Sequence, residues 1–192
     1  MLRQHAALRP CGRRRDKQWF FSSGASGIVR GRSRKDRFLN ATAKQENSGQ
    51  LIQIAIANNQ RHLKIDRRLI RRAIRQVLQD HGITEALLSV AVVDDATIAG
   101  LHRRYLGDPE PTDVLSFLLE QSPGRLEGEV IVSAQTAAAV AQRYRSSPEV
   151  ELLRYVIHGT LHLVGHADGT RAERLRMRAR ERHYLRWFHD GS

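Results

Sequence analysis

Two histidines four residues apart, His158 and His162, are the first side chains in this sequence whose spacing could do chemistry. On an α-helix, residues i and i+4 lie on one face, so both imidazoles can approach a single metal ion. A catalytic zinc site usually takes three protein ligands from His, Asp and Glu and keeps one position for water. The pair therefore predicts a zinc site that needs a third ligand from nearby in the chain.

Gly165 marks the point where the histidine helix is expected to stop. If the helix continued, His166 would lie about 12 Å along its axis from His158, too far for both to bind one ion. Glycine takes the left-handed conformation at little cost, so the chain can turn back at Gly165. After the turn, either His166 or Asp168 could complete the site. We favour Asp168, because it has two residues of slack after the turn and His166 has none.

The spacing of these residues is also that of the metal site in metzincin proteases, in which a glutamate after the first histidine is the general base. Gly159 occupies that position here. A glycine cannot accept a proton, so a metalloprotease is disfavoured. No chemical role is assigned to His62, His81, His102, His183 or His189.

The elements that must position these residues begin near residue 50. Apolar runs and alternation predict strands at residues 51–57, 87–93, 113–119 and 128–133. Helical spacing and capping signals predict helices between Asp66 and Gly82 and at residues 96–105, 134–144, 149–163 and 171–188. Leu175, Leu185 and Phe188 are expected to anchor the last helix. This order predicts a single α/β (α+β) domain, residues 50–192, with a mixed four-stranded sheet packed against about five helices.

Residues 1–49 differ from the rest of the chain in charge and in pattern. They contain 12 Lys and Arg against 3 Asp and Glu, whereas the formal net charge of the whole chain is +12. They show no sustained period of 3.6 or 2, so we interpret them as a disordered basic extension. An arm that grips RNA phosphates, a targeting peptide, a solvated tail and upstream sequence translated from a mis-assigned start all fit this composition.

Cysteine content and hydropathy bear on the compartment. Cys11 is the only cysteine, so neither an intramolecular disulfide nor a thiolate zinc site can form. No apolar run approaches the ~18 residues that a membrane helix needs. A cytoplasmic protein with no membrane association is therefore expected.

The motif residues resemble the YbeY family of metal-dependent endoribonucleases and rRNA maturation factors, whose signature is His-Gly-x-Leu-His-Leu-x-Gly-Tyr-Asp-His. Residues 158–165 match this signature, and residues 166–168 align with its last three positions. Residues 101–105 and 111–117 resemble the family's Leu-Asn-x-x-Tyr-Arg and Pro-Thr-Asp-Val-Leu-Ser-Phe blocks, and residues 128–133 resemble its Gly-Asp-Ile-x-Ile-Ser strand. The resemblance spans about residues 51–190.

The resemblance implies a zinc-dependent, single-strand-preferring endoribonuclease that acts in rRNA maturation, at the 3′ end of small-subunit rRNA, and in ribosome quality control. It implies one Zn²⁺ per chain, rRNA as substrate, and the ribosome or ribosomal proteins as partners. The catalytic group would be a zinc-bound water, and no protein general base is assigned. The alternative is a noncatalytic ribosome-associated RNA-binding module with a structural zinc.

Five residues are candidates for weaker substrate contacts. Arg103 and Arg104 would hold the RNA backbone. Thr112, Asp113 and Ser116 would line the cleft wall, because their polar groups are costly to bury unpaired. The competing interpretation is that Thr112 and Asp113 only cap a turn.

Three positions depart from the family pattern. Asp168 replaces the third histidine, which adds negative charge and makes a bound ion a weaker Lewis acid. His166 and Ala167 replace a Tyr-Asp pair, so His166 could orient a ligand or handle a proton instead of binding metal. Leu106 replaces an arginine thought to contact substrate, and Arg103 or Arg104 would have to take its place.

Overall fold

The computed structural model describes residues 51–107 and 112–189, without the side chains of residues 106 and 187–189. This part of the chain contains four strands and five helices. The elements are β1 (Leu51–Asn58), α1 (Arg67–Asp80), β2 (Glu85–Val93), α2 (Asp95–Leu106), β3 (Val114–Ser122), β4 (Arg125–Ser133), α3 (Ala134–Tyr144), α4 (Pro148–Leu163) and α5 (Arg171–His189). The predictions for residues 1–49 lie outside the described residues.

The strands form one mixed sheet in the order β1-β2-β4-β3. The pairs β1–β2 and β2–β4 are parallel, and β3–β4 is antiparallel. The two antiparallel strands are joined by a two-residue turn, where Gly124 has a φ of 74° that favours glycine. The predicted α/β fold with a mixed four-stranded sheet and five helices is confirmed.

The two faces of the sheet carry different layers. Successive strand residues point to opposite faces, and Val114 and Val130 pack into the main core, where α1, α4 and α5 also bury their apolar side chains. Leu115 and Ile131 point the other way and pack with Ile98 of α2. Thus α2 lies on the opposite face of the sheet from α4.

Helix α4 is the central helix of the main layer. Twelve of its 16 residues are buried, and it contacts α1, α3, α5, β3 and β4. A helix that is buried on all sides needs no amphipathic pattern. This environment means that any polar group on α4 must find a partner inside the protein.

Several predicted boundaries and one predicted anchor differ from the structure. β2 begins two residues and β4 three residues earlier than expected. The first residues of both strands alternate between polar and apolar, so each strand extends beyond the apolar run from which it was predicted. Leu175 was expected to anchor α5, but it is 58% exposed. Leu185 is buried, as expected, and Met177 and Tyr184 are buried beside it. The side chain of Phe188 lies outside the described ones.

Candidate metal centre

The predicted stop at Gly165 is present at the end of α4. Gly165 has a φ of 98°. Its backbone N–H donates to the His162 carbonyl (3.0 Å), and the His166 N–H donates to the Leu161 carbonyl (3.0 Å). These two bonds form a Schellman motif, which satisfies carbonyls at the helix end and reverses the chain. The reversal returns residues 166–168 toward the histidine face of α4.

The reversal brings the side chains of His158, His162 and Asp168 together. One ligand atom from each lies within 4.8 Å of the others. The two histidine Nε2 atoms are 3.0 Å apart, and each lies 3.8 Å from an oxygen of the Asp168 carboxylate. Two ligands at zinc's usual bond lengths in a tetrahedral site are separated by about 3.3 Å. The separations therefore bracket those of a zinc site, and all three residues are buried.

Glu181 of α5 orients His158. The His158 Nδ1–H donates to the Glu181 carboxylate at 2.7 Å, and both side chains are buried. A proton on Nδ1 leaves the Nε2 lone pair of the neutral ring available on the side that faces Asp168. Carboxylate partners of this kind fix the ring orientation and raise the basicity of a metal-binding histidine.

A backbone carbonyl orients His162 in the same way. The His162 Nδ1 lies 2.9 Å from the carbonyl oxygen of His166. A carbonyl can only accept a hydrogen bond, so the proton must be on Nδ1 and the lone pair on Nε2. The Schellman turn thus does two things at once, since it ends the helix and supplies the partner of the second histidine.

The ring of His166 contacts His81 at the end of α1. His81 Nδ1 donates to the Val77 carbonyl at 2.7 Å, so its Nε2 accepts from His166 Nε2–H at 2.8 Å. Burial lowers the pKa of His166, and the nearby His81 and Arg180 lower it further. His166 therefore contributes its carbonyl beside the metal centre and directs its ring to another helix, which favours Asp168 as the third ligand.

Arg174 of α5 holds the loop that carries Asp168. One of its guanidinium nitrogens donates to the carbonyls of Asp168 (3.1 Å) and Gly169 (2.7 Å). In the described part of the chain, the Asp168 carboxylate has no hydrogen bond, and the Nε2 atoms of both histidines lie 3.8 Å from its oxygens. Two lone pairs and a buried carboxylate that converge without a proton between them repel one another. These three residues fit a divalent cation, which would remove that repulsion.

Gly159 is needed for packing, whatever its role in the motif. A Cβ there would lie 2.7 Å from Val130 Cγ1 and 3.0 Å from Val114 Cγ2. Only glycine lets α4 approach the sheet at this distance. Gly159, which stands where a metzincin protease has its glutamate, therefore also sets how close the histidines of α4 lie to the sheet.

The residues predicted to contact substrate fall into two groups. Arg103 and Arg104 are exposed on α2, across the sheet from α4, and the Arg104 guanidinium lies 5.8 Å from the ring centroid of Tyr105. Ser116 is buried and points to the same sheet face as Val114, which packs against α4. Leu106 is the last residue of α2, and its side chain lies outside the described ones.

Thr112 and Asp113 make local hydrogen bonds. The Val114 N–H donates to the Asp113 carboxylate at 3.1 Å, and the Thr112 hydroxyl donates to the Val114 carbonyl at 3.4 Å. These contacts are typical of residues that cap a turn at the start of a strand. They support the capping interpretation that the sequence left open.

Sequence reasoning did not find Glu181, Arg174 or His81. A signal for Glu181 existed, because it falls between Met177 and Tyr184 on the buried stripe of α5, where an acidic residue needs a partner. For His81, which was assigned no role, the local sequence gives no such signal. Its contact with His166 spans 85 positions in the chain.

The fold and this centre define a class: an α/β domain in which two histidines of the central helix and an aspartate after that helix form a buried group suited to a divalent cation. The family model described as Endoribonuclease YbeY matches residues 55–189. The chain belongs to the endoribonuclease YbeY family, and its class is therefore that of a hydrolase. No helix in residues 51–107 and 112–189 is both long and apolar enough to cross a membrane.

Individual relatives agree with this assignment. The Endoribonuclease YbeY of Syntrophotalea carbinolica is 38% identical over 136 residues, which cover 67% of this chain and 90% of the relative. That of Salinibacter ruber is 35% identical over 140 residues, 69% of this chain and 89% of the relative. That of Rhodopirellula baltica is 43% identical over 102 residues, 52% of this chain and 53% of the relative.

A solved structure agrees with the fold. The solution structure of TM1509 from Thermotoga maritima matches with a TM-score of 0.50 at 23% identity, covering 72% of this chain and 94% of that one. At this identity the likeness shows the fold alone.

Proposed function

We propose that this chain is a zinc-dependent, single-strand-preferring endoribonuclease that acts in the cytoplasm in rRNA maturation, at the 3′ end of small-subunit rRNA, and in ribosome quality control. One observation carries the proposal: in a chain of this family, the ligand atoms of His158, His162 and Asp168 lie within 4.8 Å of one another. We assign these three residues as the ligands of one zinc ion per chain.

The chain's own residues prepare the centre for a cation. Glu181 and the His166 carbonyl hold the two Nδ1 protons, so both Nε2 lone pairs point inward. Arg174 fixes the backbone that carries Asp168. When bound, zinc would supply an acidified water and a positive charge for the phosphoryl oxygens. Three protein ligands are the number that leaves one position for that chemistry.

The substrate contacts we assign are electrostatic. Arg103 and Arg104 are exposed and would bind phosphates, and Ser116 would contribute to the cleft wall. Because contacts to phosphate carry no sequence information, cleavage is expected to depend on strandedness more than on base identity.

The test is cleavage of a mixed-sequence single-stranded RNA by the purified full chain, with and without a chelator, beside the variant His158→Ala. His62→Ala is the matched control, because it removes an exposed histidine outside the centre. Cleavage is expected from the native chain and His62→Ala, and neither from His158→Ala nor from chelated protein. Cleavage that survives both treatments would come from a contaminating nuclease and would refute the proposal.

The noncatalytic module is the outcome of the same experiment if the chain holds one zinc, binds RNA and cleaves nothing. Ribosome association is tested separately, by sedimentation of the full chain with small subunits that carry unprocessed or mature rRNA ends. Binding that prefers unprocessed ends is expected. Binding to neither would remove the ribosomal part of the proposal.

A further inference from the structure

Helix α5 has an unusual charge for a helix that packs on the core. It contains seven arginines and two glutamates. Glu181 is buried and bonded to His158, and the Glu173 carboxylate accepts from the Thr170 N–H at the helix start. Both acidic groups are thus engaged elsewhere, and the outer face of α5 is strongly positive.

Four of the arginines form a line that we name the α5 arginine row: Arg174, Arg178, Arg182 and Arg186. Successive members are four residues apart, so they follow one another along the helix at intervals of about 6 Å. The last three are exposed, and none of these has an ion pair in the described part of the chain. Like charges at i, i+4 destabilise a helix, so this arrangement costs stability until a polyanion neutralises it.

The α5 arginine row passes beside the candidate metal centre. Its first member, Arg174, donates to the carbonyl of Asp168. Glu181, which lies between Arg178 and Arg182 in the helix, accepts a hydrogen bond from His158 Nδ1–H. The two helical turns from Arg174 to Glu181 therefore contact the metal centre on their inner side, and their outer face presents guanidinium groups to solvent.

We propose that the α5 arginine row binds the phosphate backbone of single-stranded RNA and leads the strand to the metal centre. The proposal rests on the proposed function for the identity of the polyanion. A single line of evenly spaced cations suits one flexible polyanionic strand. Contacts between arginine side chains and phosphates carry no sequence information, so binding along the row is expected to depend little on base sequence.

The experiment measures RNA binding in the full chain carrying His158→Ala, so that the RNA stays intact. The test variant adds Arg178→Gln, Arg182→Gln and Arg186→Gln, and spares Arg174 because it holds the loop. A matched control adds Arg67→Gln, Arg68→Gln and Arg75→Gln, three exposed arginines of α1. Both variants lose three positive charges, so they differ only in where those charges lie.

The affinity is measured by fluorescence anisotropy with a labelled mixed-sequence single-stranded RNA over a range of salt concentrations. The test variant is expected to bind about tenfold more weakly at low salt. Its slope of log Kd against log salt should fall by about 2, since each phosphate contact on a single strand contributes roughly 0.7. The control should change by less than about twofold. Circular dichroism melting, compared with that of His158→Ala alone, establishes that both variants are folded.

Three results would overturn the proposal: an unchanged affinity in the test variant, an equal loss in the control, or polyglutamate competing as strongly as RNA of equal charge. Failure of the two proposals can be told apart. If the native chain cleaves RNA and the test variant binds normally, the row is not the track and the nuclease stands. If the test variant loses binding and the native chain cleaves nothing, the track stands and the nuclease does not.

Discussion

Helices α4 and α5 both carry polar side chains at four-residue spacing, but they use it in opposite ways. On α4, His158 and His162 are buried, and each has a fixed partner for its Nδ1 proton. On α5, Arg178 and Arg182 are exposed to solvent. On the buried helix α4, this spacing brings two imidazole lone pairs to one point. On α5, whose arginines are exposed, the same spacing forms an extended line of positive charges. Substitutions on both helices test this contrast.

The largest effect is expected at the third ligand. Asp168→Ala should lower zinc affinity by more than the roughly 10- to 100-fold loss typical of residues that only support a ligand. His166→Ala should keep one zinc per chain, because the His166 ring faces His81 and its carbonyl remains. Zinc content and competition with a chromogenic chelator measure both. Loss of zinc in His166→Ala with retention in Asp168→Ala would reverse our assignment.

Glu181 lies where the two helices meet, and its loss tests whether α5 serves the α4 centre. Glu181→Ala should weaken zinc binding roughly 10- to 100-fold, because His158 would lose the partner that fixes its proton. Glu181→Gln, which keeps an acceptor oxygen, should recover part of the affinity. Glu173→Ala, the other glutamate of α5, is the control and should leave zinc affinity unchanged. Equal losses from both would point to general damage to α5.

The close approach of α4 to the sheet can be tested at Gly159. Gly159→Ala places a Cβ at 2.7 Å from Val130, so it should destabilise the metal-free protein by about 1–3 kcal/mol. Gly100→Ala in α2 meets nothing within 4 Å and should be neutral or stabilise by up to about 1 kcal/mol. Urea unfolding in the presence of chelator compares them. A neutral Gly159→Ala would show that the layer between α4 and the sheet can yield.

The smallest effect is expected at the exposed start of α5. The Thr170 hydroxyl accepts from the Glu173 N–H at 3.2 Å, and the Glu173 carboxylate accepts from the Thr170 N–H at 2.8 Å, which is a capping box. Thr170→Ala should cost about 1 kcal/mol in the free energy of unfolding. Urea unfolding at neutral pH measures it, and no change would show that the helix start frays.

The same cap predicts a pH dependence. The hydrogen bond from the Thr170 backbone, followed by that from its side chain, lowers the pKa of Glu173 from 4.5. A carboxylate with a lowered pKa stabilises the fold above its unfolded pKa, and this contribution is lost as the pH falls through the folded pKa. The stability difference between the native chain and Glu173→Gln should therefore shrink below about pH 4.5. A difference that stays constant as the pH falls below 4.5 would contradict the cap.

Much of the fold and part of the site could be predicted because the signals are local. The facing of His158 and His162 follows from helical period alone, and the reversal at Gly165 follows from the low cost of a positive φ at glycine. Strand starts were less predictable: the first residues of β4, including Arg125 and Glu127, are hydrophilic and extend the strand only because β2 pairs with them.

The sequence by itself determined that His158 and His162 share one face of a helix that ends near Gly165, and it left His166 or Asp168 to complete the site. The tertiary structure alone decided which groups hold them. Glu181 reaches His158 from another helix, His81 takes the His166 ring from a third, and α2 ends on the far face of the sheet. The physical reason is that backbone geometry is set by neighbours in sequence, whereas the partner of a buried polar atom is set by which elements the core packs against each other.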